Sequence, residues 1–279
     1  MKEFWQRFAR NRGAVVGLVI LIGVIFLALF GPALYPESPW RMTAPPFQPP
    51  LEHPGAYFGT DTLGRDIAAG LVHGARVSML VGLVSTTVAL GIGVALGAMA
   101  GYFGGVVDNA IMRFVEFFQT IPSVVLAIVL VAVLQPSIES IVIAIAIVSW
   151  PPVARLVRGE FLSLRSREFV EAAVIAGQSN ARIIFSQILP NTLSPIIVMA
   201  SLMVATAILL ESAISFLGLG DRNLMSWGYM IGAARTVLRE AWWMSVFPGV
   251  AILLTVLSLN LVGEGLNDAL NPRLARKGR

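Results

Sequence analysis

Long uncharged apolar runs alternate with short polar segments along almost the whole chain. Six of these runs are long enough to cross a hydrocarbon core, which takes about 20 residues of helix at roughly 1.5 Å rise each. They fall at residues 14–34, 77–100, 115–135, 138–157, 192–217 and 242–263. The pattern predicts an all-α polytopic membrane protein with six transmembrane helices. The first run follows Lys2, Arg7, Arg10 and Arg12 and has the outline of a signal peptide. Gly31-Pro32-Ala33 is a weak cleavage site, so a retained signal-anchor helix is expected. The fourth run is the least regular, because Trp150-Pro151-Pro152 interrupts it just before Arg155 and predicts a kink or a re-entrant turn.

Between the runs, the residue types change with position. Half of the 16 prolines lie between Pro32 and Pro54, which excludes a long helix there. This segment leads into Gly59-Thr60-Asp61-Thr62-Leu63-Gly64-Arg65-Asp66, where Asp61 or Thr60 is placed to cap a short interfacial helix, a reading preferred to a ligand contact. Further on, Trp227, Met230, Ile231, Ala234 and Leu238 recur at helical spacing and predict an amphipathic helix lying in the interface. Trp242 and Trp243 then anchor the last span at the headgroups. No internal repeat of the kind found in the inverted halves of secondary transporters is visible.

Composition and charge narrow the classes. The chain is 56% apolar and 13% charged, against about a quarter charged in soluble domains, so it is written for lipid. Threading six spans with the N-terminus inside leaves only Arg41, Arg65, Arg76, Arg222, Arg235 and Arg239 of its basic residues outside, which predicts both termini in the cytoplasm. A nucleic-acid partner is excluded, since the basic residues sit in short loops and tails rather than on one face. Cysteine is absent, and His53 and His73 have no metal-ligand spacing, so no metal site is expected. Neither lysine lies in a phosphate-binding loop and no Ser-nucleophile motif occurs; the chain reads as a non-enzyme that holds no cofactor of its own. Two acidic residues border spans, where an ionisable group is costly. Glu116 can pair with Arg113 at a helix end, whereas Glu211 either faces a polar pathway or sits at the outer boundary.

The longest inner segment, 155–191, is far longer than a connection between neighbouring helices requires. Residues 161–176 read as a helix with Glu168 and Glu171 near its start and Phe169, Val170, Ala173 and Val174 on one packing face. Gly177 supplies a permissive turn, Ser179 or Asn180 caps a second helix, and Pro190 closes it. Arg165, Arg167 and Arg182 stay wet or meet a partner, and a helix of this kind can fill a groove on a soluble protein.

Glu171-Ala172-Ala173, Gly177 and Ile188-Leu189-Pro190 together resemble the EAA loop of bacterial ABC importer permeases. The likeness extends through Gly59-Thr60-Asp61 with Leu63-Gly64-Arg65-Asp66, Gly101-Tyr102-Phe103-Gly104-Gly105, Val157-Arg158-Gly159-Glu160, Ser215-Phe216-Leu217-Gly218-Leu219-Gly220 and Asn271-Pro272-Arg273. Over nearly the whole chain, the sequence resembles the C-type permease of the dipeptide, oligopeptide and nickel importer family. It departs from the family pattern at Gln187 and at Gly263-Glu264, Asn267 and Asn271.

The resemblance implies a type I ABC importer permease fold in the bacterial inner membrane. Its implied organisation is a tail and first helix over 1–36, an outer Pro-rich loop over 37–74, a permease domain over 75–266 with the coupling loop 155–191, and a tail over 267–279. The implied partners are a homologous second permease subunit, one or two cytoplasmic ATPase subunits that use the ATP, and an extracytoplasmic solute-binding protein. Glu171, Ala172, Ala173, Gly177, Arg182 and Pro190 are the implied ATPase-coupling residues. Peptide is the favoured substrate, nickel or another small solute the alternative. A self-sufficient secondary transporter and a non-transporting scaffold are the competing classes, and the large loop and the scarcity of midplane charge argue against the first of them.

Overall fold

The computed structural model describes residues 2–270, whose regular elements are all helices, with two isolated bridges in the segment between residues 42 and 66. In chain order the helices are α1 (Lys2–Arg10), α2 (Arg12–Leu34), α3 (Ile67–Phe103), α4 (Gly105–Thr120), α5 (Ser123–Leu134), α6 (Ile138–Arg165), α7 (Glu168–Ile175), α8 (Asn180–Arg182), α9 (Leu189–Ile214), α10 (Trp227–Ala234) and α11 (Trp243–Leu270). Wider π-helical turns at Ile183–Ile188 and Ser215–Leu219 join α8 and α9 into one rod, Asn180–Leu219. The expected tail motif Asn271-Pro272-Arg273 lies outside the described residues.

Among the described residues, five helical segments are long and apolar enough to span a membrane: α2, α3, α6, the rod and α11. The sixth expected span, 115–135, is broken. α4 and α5 meet at 83° because Pro122 has no N–H to continue the helix and holds Ile121 in an extended conformation. The fourth expected span departs in the opposite sense, since α6 runs without a break through Pro151 and Pro152. It is the most enclosed of the spanning helices, and its neighbours hold the turn that the prolines weaken.

The main neighbour of α6 is α3. Gly93, Gly97 and Gly101 recur every fourth residue along α3 and so share one face. A Cβ at these positions would stand 2.5 Å from the Val153 Cβ, the Ala154 carbonyl and the Phe161 Cβ respectively. The two backbones are therefore as close as side-chain-free packing allows, which is how helices associate where lipid removes the hydrophobic drive. α2 lies at the periphery against α11 and α3 and is the least enclosed span.

The Pro-rich segment folds into a cap rather than an open loop. Buried Thr60 donates from Oγ1 to the Pro45 carbonyl at 2.7 Å and accepts from the Gln48 N–H at 2.9 Å, while its own carbonyl accepts from Trp243 Nε1 at 3.0 Å. Asp66, not Asp61 or Thr60, caps the following helix, accepting from Ala68 N at 2.9 Å and Ala69 N at 3.3 Å. That helix is no short interfacial piece but the first turn of the 37-residue α3. Tyr35 donates to Asp66, and burial followed by this hydrogen bond pushes the phenol above its ordinary range, so it stays a donor. Asp61 instead shapes the turn before it, accepting from Leu63 N and Arg65 N at 2.8 Å each.

Two expectations about the other outer stretch are corrected. α10 does not lie in the interface: Trp227, Met230 and Ala234 are buried against α3, α9 and α11, with the Trp227 N–H donating to Ser78 Oγ at 3.1 Å and its indole to the Leu71 carbonyl at 3.0 Å. Of the tryptophan pair, only Trp242 is exposed; Trp243 is spent on Thr60.

The glycine seam yields a stability test. Gly97→Leu is expected to cost about 1–3 kcal/mol through overpacking and to lower the thermal midpoint in detergent. Gly91→Leu, on the same helix with nothing within 4 Å of its Cβ position, should leave the midpoint in place. Equal midpoints for the two variants would contradict the seam.

Candidate functional site

The long loop over 155–191 is built by two breaks. α6 extends to Arg165, past the expected helix start at Phe161, which packs instead into the α3 seam. Extended Arg167 then releases the chain into α7, which has Glu168 and Glu171 in its first turn, where negative charge is favoured. α7 ends in a Schellman motif: the Gln178 N–H bonds to the Ala173 carbonyl at 3.1 Å and the Gly177 N–H to the Val174 carbonyl at 3.0 Å. The motif needs a left-handed residue, and Gly177 supplies it at φ +74°. Nothing stands within 4 Å of its Cβ position, so conformation rather than space selects glycine there. Ser179 caps α8 by accepting from the Arg182 N–H at 3.4 Å.

Val170 and Ala173 turn inward onto Ile183 and Ile188, whereas Phe169 and Val174 face out, so the expected four-residue packing face is split. The inward arc of an eight-residue helix has room for little more than one i, i+3 pair. Glu171 and Ala172 are exposed, and Ile175 is 88% exposed, giving α7 an outward face that is apolar beside one carboxylate. A recess of about 580 Å³ runs beneath it, lined by Tyr102, Phe103, Arg165, Glu171, Val174 and Asn180. Tyr102 donates to Asn180 Oδ1 at 2.9 Å and ties the end of α3 to the elbow. Arg182 and Pro190 are exposed along the start of the rod. Pro190 does not close a helix, contrary to expectation. The Leu189 N–H reaches back five residues to the Ile184 carbonyl, and this wider turn lets Pro190 enter at the first turn of α9.

A second region lies between α4, α5, α6 and α9. The break at Pro122 and the prolines of α6 open a cavity of about 900 Å³, lined by apolar side chains together with Gln119, Ser123, Ser149, Thr206 and Arg155. Arg155 donates to Gln119 at its rim. One turn further, Arg158 grips Asp108 of α4 through two guanidinium nitrogens, the second at 2.6 Å, which fixes α4 against α6. Arg113 and Glu116 pair at 3.7 Å as expected, but both are exposed and the pair adds little. Sequence reasoning missed the Arg158–Asp108 clamp and the cavity position of Arg155. The partners are far apart in the chain, and the one signal was Arg155 standing a turn beyond the two prolines.

Glu211 does not line this cavity. It is 1% exposed, on the side of α9 that meets α10. Its carboxylate accepts from Ser226 Oγ at 2.8 Å and Ser215 Oγ at 2.9 Å, with Ser212 Oγ at 3.5 Å. A Cβ on Gly228 would fall 2.6 Å from Oε2, so the helix start at α10 is glycine where it crosses the acid. Two hydroxyl donors, Ser215 and Ser226, satisfy the group inside the bundle, while the Ser212 hydroxyl is given to the Ile208 carbonyl at 2.9 Å.

Comparison with known proteins gives this arrangement its family. A model described as "Binding-protein-dependent transport system inner membrane component" matches residues 93–276, and one described as "N-terminal TM domain of oligopeptide transport permease C" matches residues 1–50. The chain belongs to the binding-protein-dependent transport permeases. It is 44% identical to the dipeptide transport system permease protein DppC of Escherichia coli (strain K12), covering 98% of this chain and 93% of that one. It is 42% identical to the di/tripeptide transport system permease protein DppC of Pseudomonas aeruginosa (strain UCBPP-PA14), covering 98% and 92%. Against the oligopeptide transport system permease protein OppC of Haemophilus influenzae the identity is 38%, covering 98% and 89%. The fold resembles a chain of the MetNI methionine ABC transporter in an inward-facing conformation, with a TM-score of 0.61 at 16% identity over 72% of this chain and 96% of that chain. This permease is thus a multi-pass inner-membrane component of an ABC importer and not an enzyme, with the type I permease fold.

The acid at the centre of the permease's α9–α10 contact can be tested by deletion and by isosteric replacement. Glu211→Ala strands the hydroxyls of Ser215 and Ser226 and is expected to cost about 1–3 kcal/mol, read as a lowered unfolding midpoint in detergent. Glu211→Gln keeps an acceptor in place and should recover more than half of that loss; equal losses would show that volume, not hydrogen bonding, matters there.

Proposed function

We propose that this permease forms one half of the translocation pathway of a peptide importer, paired with a homologous second permease subunit and working by alternating access. The observation that carries this reading is the coupling loop: α7 packs on the rod through Val170 and Ala173 and turns an outward apolar face beside Glu171 away from the bundle, and its glycine elbow is tied to the ends of α3 and the rod. One or two cytoplasmic ATPase subunits would receive α7 in a surface groove, in the way an amphipathic helix is bound. Closure of the ATPases would then draw the loops together and open the pathway toward an extracytoplasmic solute-binding protein. The basic residues Arg165, Arg167 and Arg182 on the same side as this loop support placing it, and with it both termini, in the cytoplasm. The relatives named for dipeptide, di/tripeptide and oligopeptide transport support a peptide substrate. The cavity between α5, α6 and α9, mostly apolar with a few polar groups, would be this subunit's share of the path.

The test uses the complete complex in proteoliposomes. Glu171→Lys and Gly177→Pro should each reduce binding-protein-stimulated ATP hydrolysis about five- to a hundredfold, the range of a typical coupling energy, while the complex still assembles. Stimulated turnover equal to that of the parent complex would overturn the coupling role. Absence of labelled peptide accumulation by the parent complex would overturn the peptide reading.

A further inference from the structure

Among the described residues, Arg155 is the one charged side chain that lines the cavity between α4, α5, α6 and α9. It also borders an adjoining recess with Glu116 and Arg158, but there Glu116 is paired with Arg113 and Arg158 with Asp108. It is exposed to the cavity rather than closed in an ion pair, and its partner there is the neutral amide of Gln119. The contrast with Arg158 is informative: three residues on, that arginine is consumed by a two-point grip on Asp108 and has a structural role. Arg155 forms no ion pair among the described residues, and a guanidinium is a fixed planar fork suited to a carboxylate.

The opposite polarity lies up the same helix. Pro152 has no N–H to give the Val148 carbonyl four residues earlier, so that acceptor lacks its α-helical donor, and Val148 is a cavity residue. Ser149, beside it, and Thr206 of α9 add hydroxyl oxygens to the cavity lining. From Val148 to Arg155 is seven residues, about 10 Å along the axis. An extended dipeptide or tripeptide spans roughly 7–10 Å. A zwitterionic short peptide fits this separation with its ammonium toward the carbonyl and hydroxyl groups and its carboxylate toward the guanidinium.

We propose that Arg155 is a substrate-contacting residue that binds the C-terminal carboxylate of a short peptide in the pathway. The proposal rests on the peptide-import reading and adds to it a residue, a functional group and an orientation. A peptide lowered from the binding protein would be held by its carboxylate at the α7 end of the cavity.

The experiment measures the initial uptake of labelled Ala-Ala and of its C-terminal amide by the complete complex, with the parent chain, Arg155→Gln and Arg155→Lys. The same binding protein serves all three, so its own preference cancels from the comparison. The preference for free acid over amide should fall about tenfold in Arg155→Gln, equivalent to about 1.4 kcal/mol, and be largely restored in Arg155→Lys. If the binding protein refuses the amide, the same ratio is read by equilibrium dialysis of both compounds against the detergent-solubilised permease pair. An unchanged ratio in Arg155→Gln, an equal loss of both compounds in the Gln and Lys variants, or no binding of the dipeptide by the parent pair would each overturn the proposal. Failure of the parent complex to take up any peptide would instead overturn the substrate class on which it rests.

Discussion

Backbone contact between α3 and α6 is the constraint on which the rest of the permease depends. Because Gly93, Gly97 and Gly101 present no side chain, α6 sits deep in the bundle and remains helical across two prolines that would otherwise break it. Its middle then faces the cavity with Val148, Ser149 and Arg155, and its C-terminal end delivers the chain to α7. Moving α6 outward by the width of one methyl group on α3 would displace the cavity wall and the α7 loop together. The two regions are therefore mechanically linked through a contact that contains no polar side chain.

Most of the fold was legible in the hydrophobic runs, since a span must be apolar over its whole length and that signal survives in a single sequence. Where the reading went wrong, the cause was proline. Pro151-Pro152 was the more conspicuous breaker, yet α6 survives it through enclosure, while the single Pro122 breaks the span that lacks such support. Pro190 misled in the same way, because the wider turn before it cannot be foreseen from residue types. Loop segments were legible only as far as their chemistry is local. The elbow at Gly177 and the cap at Ser179 are decided within a few residues, and both form as the sequence suggests. The partners of Thr60, Asp66, Trp227 and Trp243 lie across the fold, and nothing near them in the chain announces those contacts.

Polar groups within the spans fall into two kinds that look alike in sequence. Glu211 and Arg158 are each engaged by their own chain, by two hydroxyls in one case and a carboxylate in the other. Arg155 is engaged only by a neutral amide and borders open space. Low hydropathy at a position marks all three equally. The distinction between a group spent on the scaffold and one left available resides in what each side chain has left unsatisfied, which only the packed structure reveals.

The rod formed by α8, α9 and the turns between and beyond them has one more implication. It comprises 40 residues, a length of roughly 60 Å at helical rise. It begins beside the elbow and ends where Gly218, at φ +89°, reverses the chain next to α10. A beam of that length is an amplifier: a tilt of about 5° about its base carries its tip sideways by about 5 Å, close to the width of one helical turn. With α10 held to the far half of the rod through Glu211 and Ser226, a small tilt of the rod would carry α10 with it, without any helix having to bend or unfold.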